Sequence, residues 1–169
     1  MSAETPGRAA AALDVPLLSF LGASLLDEEN PAAGIAFVAG EHSVNAVDFL
    51  RGGAISAILD VAAYLSLLPD LDDEEEAITH ALFVSYLAAV KVATSLVASG
   101  RVLRRGKRLA FVAAELRDRD SLVATAQVTK SVVSGRQLPR SPTISFSARA
   151  FVNRARTWAG HLSEIALGR

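Results

Sequence analysis

From Asn45 to Leu68 the chain is almost uninterruptedly apolar and small. Ala57, Ile58, Val61, Ala62, Leu65 and Leu68 recur there at the three- and four-residue spacing of one helical face. The spacing predicts a buried helix that ends near Pro69, which cannot continue it. Gly52, Gly53, Ala54, Ser56, Ala57, Ala62 and Ala63 keep its outline thin, so a neighbouring layer can approach closely. Ahead of it, Val15 to Leu21 predicts a short helix or turn closed by Gly22. Ala23 to Asp27 and Gly34 to Ala39 read as two strands, with Asn30-Pro31 and Gly34 supplying the turn between them. Behind the helix the period changes to two: Thr79, Ala81, Phe83 and Ser85 alternate with His80, Leu82, Val84 and Tyr86. Ser95 to Leu103, Arg108 to Leu116 and Leu122 to Val133 follow as strands joined by short charged turns. The order strand, strand, helix, four strands predicts an α+β fold in which an antiparallel sheet wraps one helix.

The ends differ in character. Residues 1–14 read as a flexible small-residue tail without a secretory signal, and 15–134 form the domain. Residues 135–142 read as a linker and 143–169 as a basic amphipathic helix. Phe151, Ala155, Trp158, Leu162 and Ile165 share one face of that helix, away from Arg149, Asn153, Arg154 and Arg156. Such a face more often docks on its own domain or a partner subunit than on anionic lipid. At 169 residues and 51% apolar content the chain can bury a sizeable core, and a net charge of −1 offers no electrostatic case for nucleic acid. Zero cysteines exclude disulfides and thiolate chemistry and are compatible with the cytoplasm, the expected location. No apolar run was expected to reach membrane-span length. His42, His80 and His161 lack metal-ligand spacing, so neither metal nor cofactor is expected. The acidic run Asp70 to Glu76 lacks the glycine and spacing of a calcium loop and reads as a solvated loop.

Chemistry enters with Asp60, a carboxylate in the middle of an apolar helix, where leaving it unpaired costs several kcal/mol, on the order of a buried-ion penalty. Eight residues earlier stands Gly52-Gly53. First-turn N–H groups lack helical partners and carry the positive end of the dipole, and glycine lets a ligand approach them. A carboxylate and bare amides are two halves of an acyl-transfer site; equally, they describe a small-residue packing helix with one hydrogen-bonded Asp. Tyr64, one turn beyond Asp60, either walls an acyl pocket or packs. Arg104, Arg105, Lys107 and Arg108 form a basic turn suited to phosphates or simply to solubility, with Lys91 and Lys130 as weaker phosphate candidates.

Asn45, Gly52-Gly53 and Leu59-Asp60, followed by strands carrying SYL and VLRRGKRLAFVAAELRD, resemble the hotdog-fold acyl-CoA thioesterases of the PaaI-like, phenylacetate-pathway type. The resemblance spans roughly Phe20 to Val133. It implies a six-stranded antiparallel sheet wrapped around the long helix, with the C-terminal helix as an addition. It also implies hydrolysis of an acyl-CoA to a carboxylic acid and free CoA, CoA being part of the substrate. By position, Asn45 would hold water or the thioester carbonyl, Gly52 would donate to the oxyanion with Gly53 beside it, and Asp60 would be base or nucleophile. Thr79 matches the hydroxyl residue expected to reach Asp60 across the interface of a homodimer or homotetramer. The family histidine is replaced by Arg51, which is donor-only and permanently charged. Arg51 would polarise a carbonyl, select an acidic acyl group, or pair with Asp60 and weaken it as a base. An expected glycine is Asp48. The alternative function is an acyl-CoA or fatty-acid binding hotdog protein without hydrolysis. A hotdog dehydratase is disfavoured by the missing histidine.

Overall fold

A computed structural model of the chain describes residues 5–134. The expected linker and C-terminal helix lie outside those residues. The first feature departs from expectation: Thr5–Leu13 is a helix, α1, not a tail. Ala9 is fully buried, and Arg8 donates to the Glu75 carbonyl at 2.7 Å and pairs with the Glu76 carboxylate at 3.4 Å. A partner 67 residues away therefore orders a segment whose local composition looks like a tail. Helix α2, Pro16–Leu21, starts on proline and stops at Gly22, which takes the left-handed conformation at φ +67°.

The two early strands are shorter than predicted, β1 at Ser24–Leu25 and β2 at Ile35–Val38. Helix α3 runs Gly52–Leu67. It is followed by β3, Glu75–Tyr86; β4, Ser95–Arg105; β5, Leu109–Asp118; and β6, Ser121–Ser134. The six strands form one sheet in the order β1-β2-β4-β5-β6-β3, and every pairing is antiparallel. The acidic run thus ends inside β3 rather than before it, and Arg104 and Arg105 belong to β4 rather than to the turn.

The sheet curls around α3, whose Ile55, Ile58, Leu59, Ala62, Ala63, Leu65 and Leu67 are all buried. They meet the inward row of each strand, for example Leu96 and Ala98 of β4, Val112 and Ala114 of β5, and Ala126 and Val128 of β6. The stretch Gly52–Asp70 is, contrary to the sequence expectation, long and apolar enough to match a membrane span. Here it is the core helix of a domain whose own sheet covers it. The sheet crosses α3 closely at Gly100, where a Cβ would lie 2.7 Å from the Ala62 carbonyl oxygen.

That backbone oxygen cannot move aside. Gly100→Ala is therefore expected to destabilise the fold by about 1–3 kcal/mol, the range for overpacking a core. A urea-unfolding midpoint equal to that of the native chain would contradict the close crossing.

Candidate active site

The first turn of α3 forms one half of the site. Arg51 occupies the N-cap position, and its carbonyl accepts from Ala54 and Ile55. The Gly52 and Gly53 N–H groups precede the first helical hydrogen bond, as helix starts require. Tyr86, at the far end of β3, covers Gly52: a Cβ there would meet the Tyr86 ring at 3.1 Å. The Tyr86 hydroxyl donates to the Gly52 carbonyl at 3.2 Å and lies 2.8 Å from the Ser56 hydroxyl, tying the helix start to the sheet. In the preceding loop the Asn45 side-chain oxygen accepts from the Val47 and Phe49 N–H groups at 3.0 and 3.1 Å. Its oxygen is thus committed to its own turn, and its amide group is the part left for a ligand. Asp48, which stands where a glycine was expected, takes φ +61°. Aspartate tolerates that left-handed conformation, which glycine also adopts readily. A cavity of about 580 Å³ opens here between Leu17 and Phe20 of α2, His42, Asn45, Arg51 and Gly52.

The second half lies two turns along the helix. Asp60 accepts the Thr79 hydroxyl at 2.7 Å on Oδ1 and 3.0 Å on Oδ2, and the Lys130 ammonium donates to Oδ1 at 2.8 Å. Lys130 also donates to the Thr79 hydroxyl oxygen at 2.8 Å, closing a three-membered ring of contacts. Thr79 and Lys130 stand directly opposite each other across β3 and β6, which brings both onto the same helical carboxylate. Strict alternation would put Thr79 on the outer face with Phe83. A bulge between Thr79 and Ala81 shifts the register instead, and His80 lies near Ser131, 3.2 Å from its hydroxyl.

Three expectations change. Within one chain Arg51 does not pair with Asp60: its Nε donates to the Val44 carbonyl at 2.9 Å, and the eight residues 52–59 of the helix lie between the two. Lys130 is the partner of Asp60 and is buried, so it is not a surface phosphate ligand. Thr79 meets Asp60 within one chain rather than across an interface. Lys130 was legible in part, because it interrupts the row Ala124, Ala126, Val128 and Val132 on β6. Tyr64 lies behind the cluster, with Lys130 Nζ 5.9 Å from its ring centre, and burial together with the neighbouring Glu76 carboxylate pushes its hydroxyl pKa up to about 12. Gly53 lines the cavity beside Gly52.

The basic turn divides. Arg105 is held by Glu75 at 2.6 Å, whereas Arg104, Lys107 and Arg108 are exposed. The hydrogen bond from Arg105 is the main reason that the Glu75 carboxyl is held below its ordinary range.

A family model described as the acyl-CoA thioesterase N-terminal domain matches residues 42–131, more than half of the chain. The chain belongs to this family. It spans both halves of the site just described. The structure of a phenylacetic acid degradation-related protein from Ralstonia eutropha JMP134 is similar at 27% identity and TM-score 0.64, covering 75% of this chain and 98% of that one. The Escherichia coli PaaI protein superimposes with TM-score 0.67 at 16% identity, over 78% of this chain and 96% of that one. A Bacillus halodurans protein solved with CoA does so with TM-score 0.64 at 19% identity, over 77% and 89%. The fold is the hotdog fold. No curated protein matches the chain in sequence.

Because the Glu75 carboxyl is depressed, its pairing stabilises the fold where Glu75 is ionised, and that stabilisation is lost as pH falls through the depressed value. Arg105→Ala should lower stability at neutral pH by no more than about 1 kcal/mol for a partly exposed pair, read as a small drop in melting temperature. The difference should vanish in acid. A deficit that persists unchanged at low pH would show that Arg105 acts through packing instead.

Proposed function

We propose that the protein is an acyl-CoA thioesterase that hydrolyses an acyl-CoA to a carboxylic acid and free CoA. The observation that carries this is Asp60, held by Thr79 and Lys130 yet still 30% exposed at its side chain. A carboxylate kept only for packing would be closed over; this one is fixed and open. In the proposed reaction Asp60 either takes a proton from water attacking the thioester carbon or attacks that carbon itself. The oxyanion that forms is met by the Gly52 N–H, and Asn45 orients water or the carbonyl through its amide group.

One helix cannot perform both roles on one substrate. Gly52 and Asp60 are eight residues apart, about 12 Å along the axis, whereas donor and attacking group must each lie about 3 Å from one carbonyl. The reaction centre is therefore proposed to form between two chains, with the Gly52 end of one facing the Asp60 cluster of the other. Strand β3 offers the joint: it is a sheet edge, with Phe83 69% and Ile78 44% exposed. A homodimer joined along β3 would bring two such half-sites together, and the exposed Arg104, Lys107 and Arg108 are left to meet CoA phosphates. The CoA carried by the Bacillus halodurans relative supports that class of ligand.

A second reading, a hotdog protein that binds acyl-CoA without hydrolysis, is favoured by one feature: Arg51 stands where the family has histidine. Thiol release from short, medium, long, aromatic and dicarboxylic acyl-CoAs separates the two. The native chain should turn over at least one of them, and Asp60→Asn should lower the rate by about 100-fold or more while leaving acyl-CoA binding intact. Turnover only in Arg51→His would establish the binding protein, and full activity in Asp60→Asn would refute the site. Sedimentation at micromolar concentration should show a dimer or tetramer; a monomer would remove the shared centre.

A further inference from the structure

Lys130 is the residue whose burial the fold alone does not explain. Its neighbours in the inward row of β6, Ala124, Ala126, Val128 and Val132, are all buried and apolar. Alternation and packing at position 130 call for the same. Instead the row carries an ammonium that is 2% exposed. Replacing both members of a buried ion pair by apolar residues of similar volume is often neutral or stabilising, so packing alone does not require the pair, although removing one member leaves the other uncompensated. Burial lowers the Lys130 pKa, with Asp60 opposing that shift. The cost of burying the charge is met only where the ammonium reaches Asp60 Oδ1 and the Thr79 hydroxyl, both at 2.8 Å.

These contacts have a direction. Lys130 donates to the Thr79 oxygen, so the hydroxyl proton of Thr79 is turned toward Asp60. Lys130 and Thr79 both make their shorter contact with Oδ1, at 2.8 and 2.7 Å, while Oδ2 receives only the 3.0 Å contact. Oδ2 is thus the less committed of the two oxygens. The ammonium is 2% exposed against 30% for the Asp60 side chain, so it meets the carboxylate from the buried side.

We propose that Lys130 is a positioning residue for Asp60: from below the site it fixes the carboxylate so that Oδ2 faces the thioester, and it fixes the Thr79 hydroxyl as a donor. This rests on the thioesterase reading. The groups that face Lys130 are Asp60 and Tyr64 on α3 and Thr79 on β3, with Glu76 of β3 and Arg8 of α1 acting on Tyr64 from behind. Burial pushes Tyr64 up to about 12 and lowers Lys130 from its ordinary value, so of these two groups Lys130 is the first to lose its proton as pH rises.

The test uses full-length Lys130→Met and Lys130→Arg with the acyl-CoA that the native chain hydrolyses best. Lys130→Met should lose up to about 100-fold in kcat, the scale of a misplaced reacting group, with KM changed by less than about twofold. It is expected to fold and to melt somewhat lower than the native chain, because Asp60 keeps Thr79 but loses its counter-ion. Lys130→Arg should recover most of kcat. The alkaline fall in kcat expected of the native chain should be absent from Lys130→Arg, because guanidinium does not titrate there. Native kcat in Lys130→Met, or a change confined to KM, would overturn the role. Should the Met variant not fold, an alkaline limb unchanged in the Arg variant would overturn it equally. A native chain silent toward every acyl-CoA overturns the thioesterase reading and this role with it; an active native chain with an equally active Lys130→Met overturns this role alone.

Discussion

An apolar helix of sixteen residues has to be hidden, and the curl of a single sheet hides it. Because α3 is apolar on nearly every side, the sheet must reach most of the way round it, and its surface must be made of small residues where the layers come closest. Ala62 and Ala63 on the helix and Ala98, Gly100, Ala114 and Ala126 on the strands supply that thinness. The free energy comes from apolar area removed from water, at about 25 cal/mol per Å². The same enclosure places a price on polar groups in the helix interior, and Asp60 is accommodated only through partners delivered by β3 and β6.

Function follows from where the enclosure is incomplete. At its N-terminal end α3 emerges from the sheet with unpaired amides beside a cavity lined by α2. Two turns on, the edge strand β3 leaves Asp60 partly open. The rigid elements that bury the helix also fix these two openings, so neither half of the site depends on a loop for its position except through Asn45 and Arg51. The separation of the halves along one rigid helix is what makes a second chain chemically necessary in the proposed reaction, rather than merely a means of covering an exposed edge.

The helix and the four long strands were legible because their periods are long and clean, 3.6 against 2, and interrupted by charged turns. What was not legible depended on contacts distant in sequence. Residues 5–13 have the composition of a tail and are ordered by Ala9 packing and by Arg8 reaching the start of β3. Thr79 was correctly matched to Asp60 but placed on the wrong chain, and period-two counting puts it on the wrong face, because a bulge beside His80 reverses the alternation. Within one chain the pairing of Arg51 with Asp60 fails on helix geometry, since nine residue steps span about 13 Å. Lys130 carried a readable signal, a cation in an apolar row, but a lysine in a strand is ordinarily assigned to the solvent face. Asp48 shows the opposite case: it stands where a glycine was expected and still takes a left-handed φ of +61°.

The central claim is that one reaction centre takes its oxyanion donor from one chain and its carboxylate from another. Gly52→Val blocks the first half and Asp60→Asn removes the second. Each variant alone should be inactive in CoA release. If the claim holds, unfolding and refolding the two together should restore part of the native activity, because mixed dimers contain one centre with both halves intact. A mixture as inactive as its components, with mixed dimers demonstrated by mass spectrometry, would contradict it.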